Sequence, residues 1–148
     1  MQFDRRGLFR RLFGSIAAGA FAGGSARAEE SAVPKVAYHL SDADKVGFVL
    51  GNIANHIEGM GGPDKVKIVL VVHGPALAAF RTDRANADIA RRLADAAGAG
   101  VGLAACGNTL DAQKMSVADL LPGFIRADEG GVVRLAQLQA QGYAYLRP

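Results

Sequence analysis

Cys106 is the only cysteine among 148 residues, and Gly107, Asn108 and Thr109 follow it. It stands at the end of a run of small apolar residues, where a strand hands over to a turn or helix. Backbone N–H groups at such a point can stabilise a thiolate and lower the pKa of the thiol. Gly107 removes bulk beside the sulfur, while Asn108 and Thr109 offer hydrogen bonds. The chemistry this pattern supports is nucleophilic, with Cys106 as the attacking sulfur. His73 ends a β-branched run and leads into Gly74 and Pro75, an ordered turn, so it is a candidate base or substrate-orienting group. His39, near the end of an earlier run and just before Ser41 and Asp42, is a second such candidate. The catalytic candidates are therefore Cys106 and His73. The candidates for substrate binding are His39, Gly74, Gly107, Asn108 and Thr109.

Each of these residues also has a plainer reading. A free cysteine is among the most buried residue types and can serve as a small core hydrophobe. His73 can be a loop histidine bonded to backbone, and His39 can belong to the strand itself. His56, beside Asn52 and Asn55, reads as a helix-surface or subunit-contact residue.

Other constellations fail. The three histidines, at 39, 56 and 73, are evenly spaced and form no H-x-x-x-H pair, so no metal site is expected. Gly98-Ala99-Gly100-Val101-Gly102 looks like a nucleotide loop, but it follows a helix and precedes a strand, the reverse of what phosphate binding needs. Residues 29–148 hold no G-x-S-x-G elbow. The chain has no Trp and no basic–aromatic platform. Asp42/Asp44 and Asp128/Glu129 read as solvated helix starts or turns.

The elements that must position the candidates alternate along the chain. Lys35–Leu40 reads as a strand, and residues 42–60 as a helix with Val46, Val49, Leu50, Ile53, Ile57 and Met60 at helical spacing. Residues 66–72 form a nearly continuous β-branched run, typical of a strand buried on both faces. A helical turn is expected at 77–80, a helix at 83–97, and a strand at 101–105. Ser116 and Asp119 have capping-box spacing for a short helix. Strand 124–126, helix 132–141 and strand 143–146 complete the chain. This alternation implies one α/β domain, a three-layer α/β/α arrangement around a five-stranded, mainly parallel sheet. In such sheets ligands bind beyond the carboxyl ends of the strands, where His39, His73 and Cys106 all fall.

The first 28 residues are different in kind. They carry five Arg and one acid, and the remaining 120 residues hold 12 Lys+Arg against 13 Asp+Glu. The body of the protein is thus nearly neutral, which removes the main support for nucleic-acid binding. Arg5-Arg6-Gly7-Leu8-Phe9-Arg10, a weakly apolar stretch, and Ala26-Arg27-Ala28 resemble a twin-arginine export signal with its cleavage site. The expected organisation is a signal at 1–28, a short linker at 29–34 and an α/β domain at 35–148. The expected location is the periplasm, reached already folded. No run approaches the ~20 apolar residues of a membrane span, so no stable span is expected after cleavage.

Three segments together resemble the DsrE/DsrF-like family: Asn52-Ile53-Ala54-Asn55-His56, Val71-Val72-His73-Gly74, and Ala105-Cys106-Gly107-Asn108-Thr109-Leu110. The tail, with Asp119-Leu120-Leu121-Pro122-Gly123 and Leu138 to Tyr145, extends the likeness over about residues 35–148. The resemblance implies a homo-oligomer, a trimer or hexamer, built from a compact three-layer domain. It implies sulfur handling in which a cysteine, here Cys106, carries sulfane sulfur as a persulfide between donor and acceptor proteins or small sulfur species. No cofactor is required, because sulfur–sulfur exchange needs only a thiolate, a leaving sulfur and access. A carrier of this kind need not turn over independently. The competing reading is a non-catalytic oligomeric module that binds a small ligand or partner and keeps Cys106 as a structural residue.

Overall fold

The computed structural model describes residues 32–148; the signal expected at 1–28 lies outside the described residues. Five strands form one sheet: β1 (Lys35–Leu40), β2 (Lys67–Val72), β3 (Gly102–Cys106), β4 (Phe124–Ala127) and β5 (Ala144–Leu146). Their order is β4-β3-β2-β1-β5, and every pairing is parallel. The four α-helices of the described residues are α1 (Val46–Gly59), α2 (Ala87–Gly98), α3 (Gly107–Ala112) and α4 (Gly131–Ala140).

The strand order explains the layers. From β1 to β4 the chain steps across the sheet in one direction, and a right-handed crossover then puts each connecting helix on the same face. The step from β4 to β5 runs the other way, past β1, so α4 falls on the opposite face. The packing follows this division. Tyr38, Leu40, Leu70, Val72, Leu103 and Ala105 pack in one core cluster with Val49, Ile53, Leu93 and Leu110 from α1, α2 and α3. Their sheet neighbours Ala37, Val71 and Ala104 face the other way, against Leu135, Leu138 and Tyr143. Successive strand residues alternate between faces, so His39, His73 and Cys106 lie on the α4 side.

Several boundaries differ from the pattern reading, each for a local reason. The helix expected at 42–60 begins as a 3₁₀ turn, Ala43–Lys45, before α1. The helix expected from 83 starts at Ala87 because Asn86 caps it, accepting the Ile89 N–H at 2.9 Å. Asp83 is occupied by Arg81 instead. The turn expected at 77–80 extends back to Gly74, which has φ +60 and is followed by Pro75. The capping box between Ser116 and Asp119 is present, on a single 3₁₀ turn, Val117–Asp119. Strand β3 runs one residue further than expected and takes in Cys106, which pairs in register with Ala127.

Among the described residues α4 is the one helix on its face, so its apolar anchors carry that layer. Leu138→Ala, at a fully buried position, is expected to cost about 2–5 kcal/mol in denaturant unfolding. Hydrogen exchange should show α4 amides losing protection before those of α1 and α2.

Candidate functional site

Three strand ends meet at one edge of the sheet, close to where the chain reverses its direction of travel. Cys106 ends β3 and is the residue from which α3 starts. It is buried, with 6% of its surface exposed. Burial pushes the thiol pKa up, but hydrogen bonds from the Thr109 hydroxyl and from the backbone N–H groups of Gly131, Thr109 and Asn108 outweigh it. The thiol therefore sits below its ordinary value.

The donors converge because two helices begin at the sulfur. Asn108 and Thr109 open α3, and Gly131 opens α4. The approach of α4 leaves little room for a side chain. A β-carbon on Gly131 would lie 3.2 Å from the β-carbon of Cys106 and 3.2 Å from that of His73. Gly130, at φ +90, would bring a β-carbon to 2.7 Å from the Asn108 amide nitrogen. Arg126 links the end of α3 to the turn before α4. It donates to Asp111 on α3 at 2.8 Å and to Asp128, in the turn before α4, at 2.7 Å.

Thr109 ties the sulfur to the next strand end. While its hydroxyl hydrogen goes to Cys106, its oxygen accepts the Gly74 N–H at 2.9 Å. The Gly74 carbonyl in turn accepts from the Gln113 amide at 3.0 Å. The turn after β2 is thus locked to α3, and His73 is placed beside Cys106. The histidine does not hydrogen-bond the sulfur. Its Nε2 meets Nε2 of His39 at 2.5 Å, and Nδ1 of His39 meets the Tyr145 hydroxyl at 2.6 Å.

Both imidazoles are held neutral. Burial pushes the His39 pKa down to about 4, helped by His73 and by the positive charge of Arg147, with Asp42 opposing. Burial and Arg147 lower His73 in the same way. Arg147 follows β5 and donates to Ser41 at 3.0 Å and Asp42 at 3.1 Å, closing the end of β1.

Of the residues singled out from sequence, Cys106, His73, His39, Gly74, Gly107, Asn108 and Thr109 all fall at this edge. Gly107 lets β4 approach, since its β-carbon would meet the Ala127 carbonyl oxygen at 2.8 Å. Asn108 lines the turn before α4 and is exposed. His56 is not a free surface group: its Nδ1 bonds the hydroxyl of buried Tyr38 at 2.9 Å, joining α1 to β1. Asp42 and Asp128 are solvent-exposed at a helix start and a turn, and each pairs at the surface, with Arg147 and Arg126. Sequence reasoning missed Tyr145, Arg147, Arg126 and the Gly130-Gly131 pair. The last was visible as two glycines directly ahead of a helical period. Among the described residues no cluster of three or more His, Cys, Asp or Glu side chains is arranged to hold a metal ion.

Comparison with known proteins agrees with this architecture. The chain belongs to the DsrE/DsrF-like family, whose model matches residues 35–148. A protein of unknown function, MTH1491 from Methanobacterium thermoautotrophicum, has a similar structure, with TM-score 0.68 and 28% identity. The match covers 78% of this chain and 99% of that one. The ychN protein from E. coli shares the fold at TM-score 0.62 and 18% identity, over 78% of this chain and 99% of its own. No curated protein matches the chain.

Two outcomes follow from the geometry. Histidines whose pKa is lowered by folding bind protons more readily in the unfolded chain, so stability must fall as pH drops from 6.5 toward about 4. Denaturant midpoints measured across that window should show the slope, and His39→Asn should flatten it. Gly131→Ala should push α4 off the sulfur and remove one N–H donor. The pH midpoint of Cys106 alkylation should then rise above that of the unaltered protein.

Proposed function

We propose that this protein is a sulfur carrier that holds sulfane sulfur as a persulfide on Cys106. The observation that carries the reading is the placement of Cys106 as the N-cap of α3 and against the first residue of α4, where N–H groups and the Thr109 hydroxyl lower its pKa. That arrangement stabilises negative charge on a buried sulfur, which both attack and release require. In loading, the Cys106 thiolate attacks the outer sulfur of a donor persulfide. The S–S bond of the donor breaks, a new one forms to Cys106, and the donor leaves as a thiolate. No electrons enter or leave, so no redox cofactor is needed. Donor and acceptor are proteins or small sulfur species, and membership of a sulfur-handling family supports this reading.

The proposed setting is the periplasm, supported by the sequence of residues 1–28. Assembly as a trimer or hexamer is part of the same proposal. Exposed Val132, Val133 and Ile125 on the α4 side are available for it. Among the described residues no helix is long and apolar enough to cross a membrane.

The burial of Cys106 supports the competing module in which the cysteine is structural. Intact mass spectrometry after brief exposure to polysulfide separates the two. The carrier gains whole sulfur atoms, loses them to a reductant, and gains none as Cys106→Ser. An unchanged mass, together with a thiol that resists alkylation in the native state, would leave the binding module.

A further inference from the structure

Tyr145, His39 and His73 come from three neighbouring strands and form an unbroken line of polar atoms. The Tyr145 hydroxyl is 2.6 Å from Nδ1 of His39, and Nε2 of His39 is 2.5 Å from Nε2 of His73. The two ring centroids are 4.7 Å apart with planes 20° apart. Since the facing nitrogens nearly touch, the rings meet tip to tip, close to coplanar, and not face over face. Such a contact requires one Nε2 to carry hydrogen and the other to be bare.

That requirement couples the two rings. If His39 donates through Nε2, its Nδ1 accepts from Tyr145, and His73 carries its own hydrogen on Nδ1. If His73 donates through Nε2, then Nδ1 of His73 is bare and Nδ1 of His39 donates to Tyr145. In both arrangements the rings are neutral and hold opposite tautomers. A second proton would set two N–H groups against each other. The charged groups around the pair are Arg147, which resists protonation, and Asp42, which favours it but is paired with Arg147. One end of the line is His73, half-buried beside Cys106, the β-carbons of the two residues flanking Gly131. The other end is Tyr145, 41% exposed.

We propose that Tyr145, His39 and His73 form a proton relay for sulfur discharge, and that the sulfur acceptor is a neutral thiol whose proton the relay removes. This rests on the carrier reading of Cys106. The acceptor thiol gives its proton to Nδ1 of His73. The Nε2 proton of His73 passes to Nε2 of His39, the Nδ1 proton of His39 passes to the Tyr145 oxygen, and the hydroxyl proton of Tyr145 passes to water. The acceptor thiolate then attacks the outer sulfur of the Cys106 persulfide. The S–S bond to Cys106 breaks, an S–S bond to the acceptor forms, and Cys106 departs as the thiolate its helix N–H groups stabilise. Loading runs the relay backward, with Nδ1 of His73 protonating the donor thiolate as it leaves. One full cycle returns every proton. His73 is the catalytic residue of this step; His39 and Tyr145 act through it.

The test compares discharge of persulfide-loaded protein by two acceptors at neutral pH. One is 2-mercaptoethanol, which is almost wholly protonated; the other is thionitrobenzoate, which is already a thiolate. Tyr145→Phe keeps the ring and removes the proton exit at a half-exposed position, so folding is not at risk. Discharge to 2-mercaptoethanol should fall by about tenfold or more, while discharge to thionitrobenzoate stays within about twofold. An equal effect on both acceptors, or none on either, overturns the relay. Ring-nitrogen NMR of the reduced protein decides the matter without any sulfur loading. Opposite neutral tautomers on His39 and His73, shifted by Tyr145→Phe, support the relay; two rings titrating independently near the ordinary histidine value overturn it. Failure to load sulfur at all would count against the carrier reading, and the NMR result would still settle the coupling.

Discussion

The first turn of α4 against Cys106 is the contact on which the site depends. A thiolate buried at a strand end must replace lost hydration with donors, and α4 packs so closely on Cys106 and His73 that a side chain on its first residue would crowd both. Gly131 meets that need, and Gly130, with its positive φ, lets the chain turn into the helix above Asn108. The remaining devices keep this approach in place. Arg126 ties α3 to the turn before α4, and Thr109 ties α3 to the turn after β2. Removing an ion from water costs several kcal/mol, and one hydrogen bond to a charged group returns about 1.5–3 kcal/mol. A single donor would therefore leave the thiolate unstable; the four that converge here reverse the sign of the shift.

The same balance explains why the histidines are not charged partners of the sulfur. A thiolate paired to an imidazolium would need a histidine that gains protons in the fold. Here burial and Arg147 act in the opposite direction on both rings. The helix N–H groups take over the stabilising role, and the histidines are left free for proton transfer. Arg147 also closes the end of β1 through Ser41 and Asp42, so the last few residues of the chain help define both the charge and the shape of the site.

The sheet and its edge were legible because hydrophobic pattern and strand ends are local properties. Residues 66–72 announce a buried strand, and parallel pairing then forces His73 and Cys106 to one edge. What pattern cannot reveal is which strands lie side by side. Tyr145 reaches His39 only because β5 crosses to pair with β1, and nothing in residues 143–146 specifies that neighbour. His56, beside Asn52 and Asn55, reads from sequence as a helix-surface or subunit-contact residue, and pattern does not show that the Tyr38 hydroxyl supplies it a partner. The helix expected from 83 begins at Ala87, because Arg81 claims the Asp83 carboxylate and Asn86 does the capping.

A titration of the protein by far-ultraviolet thiolate absorbance, with Cys106→Ser as the blank, tests the central claim most directly. The blank removes the tyrosines from the signal and leaves Cys106 alone. The account predicts a midpoint clearly below the ordinary thiol value of 9.0, rising toward it in Thr109→Val. A midpoint at or above 9.0 would mean that burial prevails over the helix N–H groups, and Cys106 would then be a structural thiol.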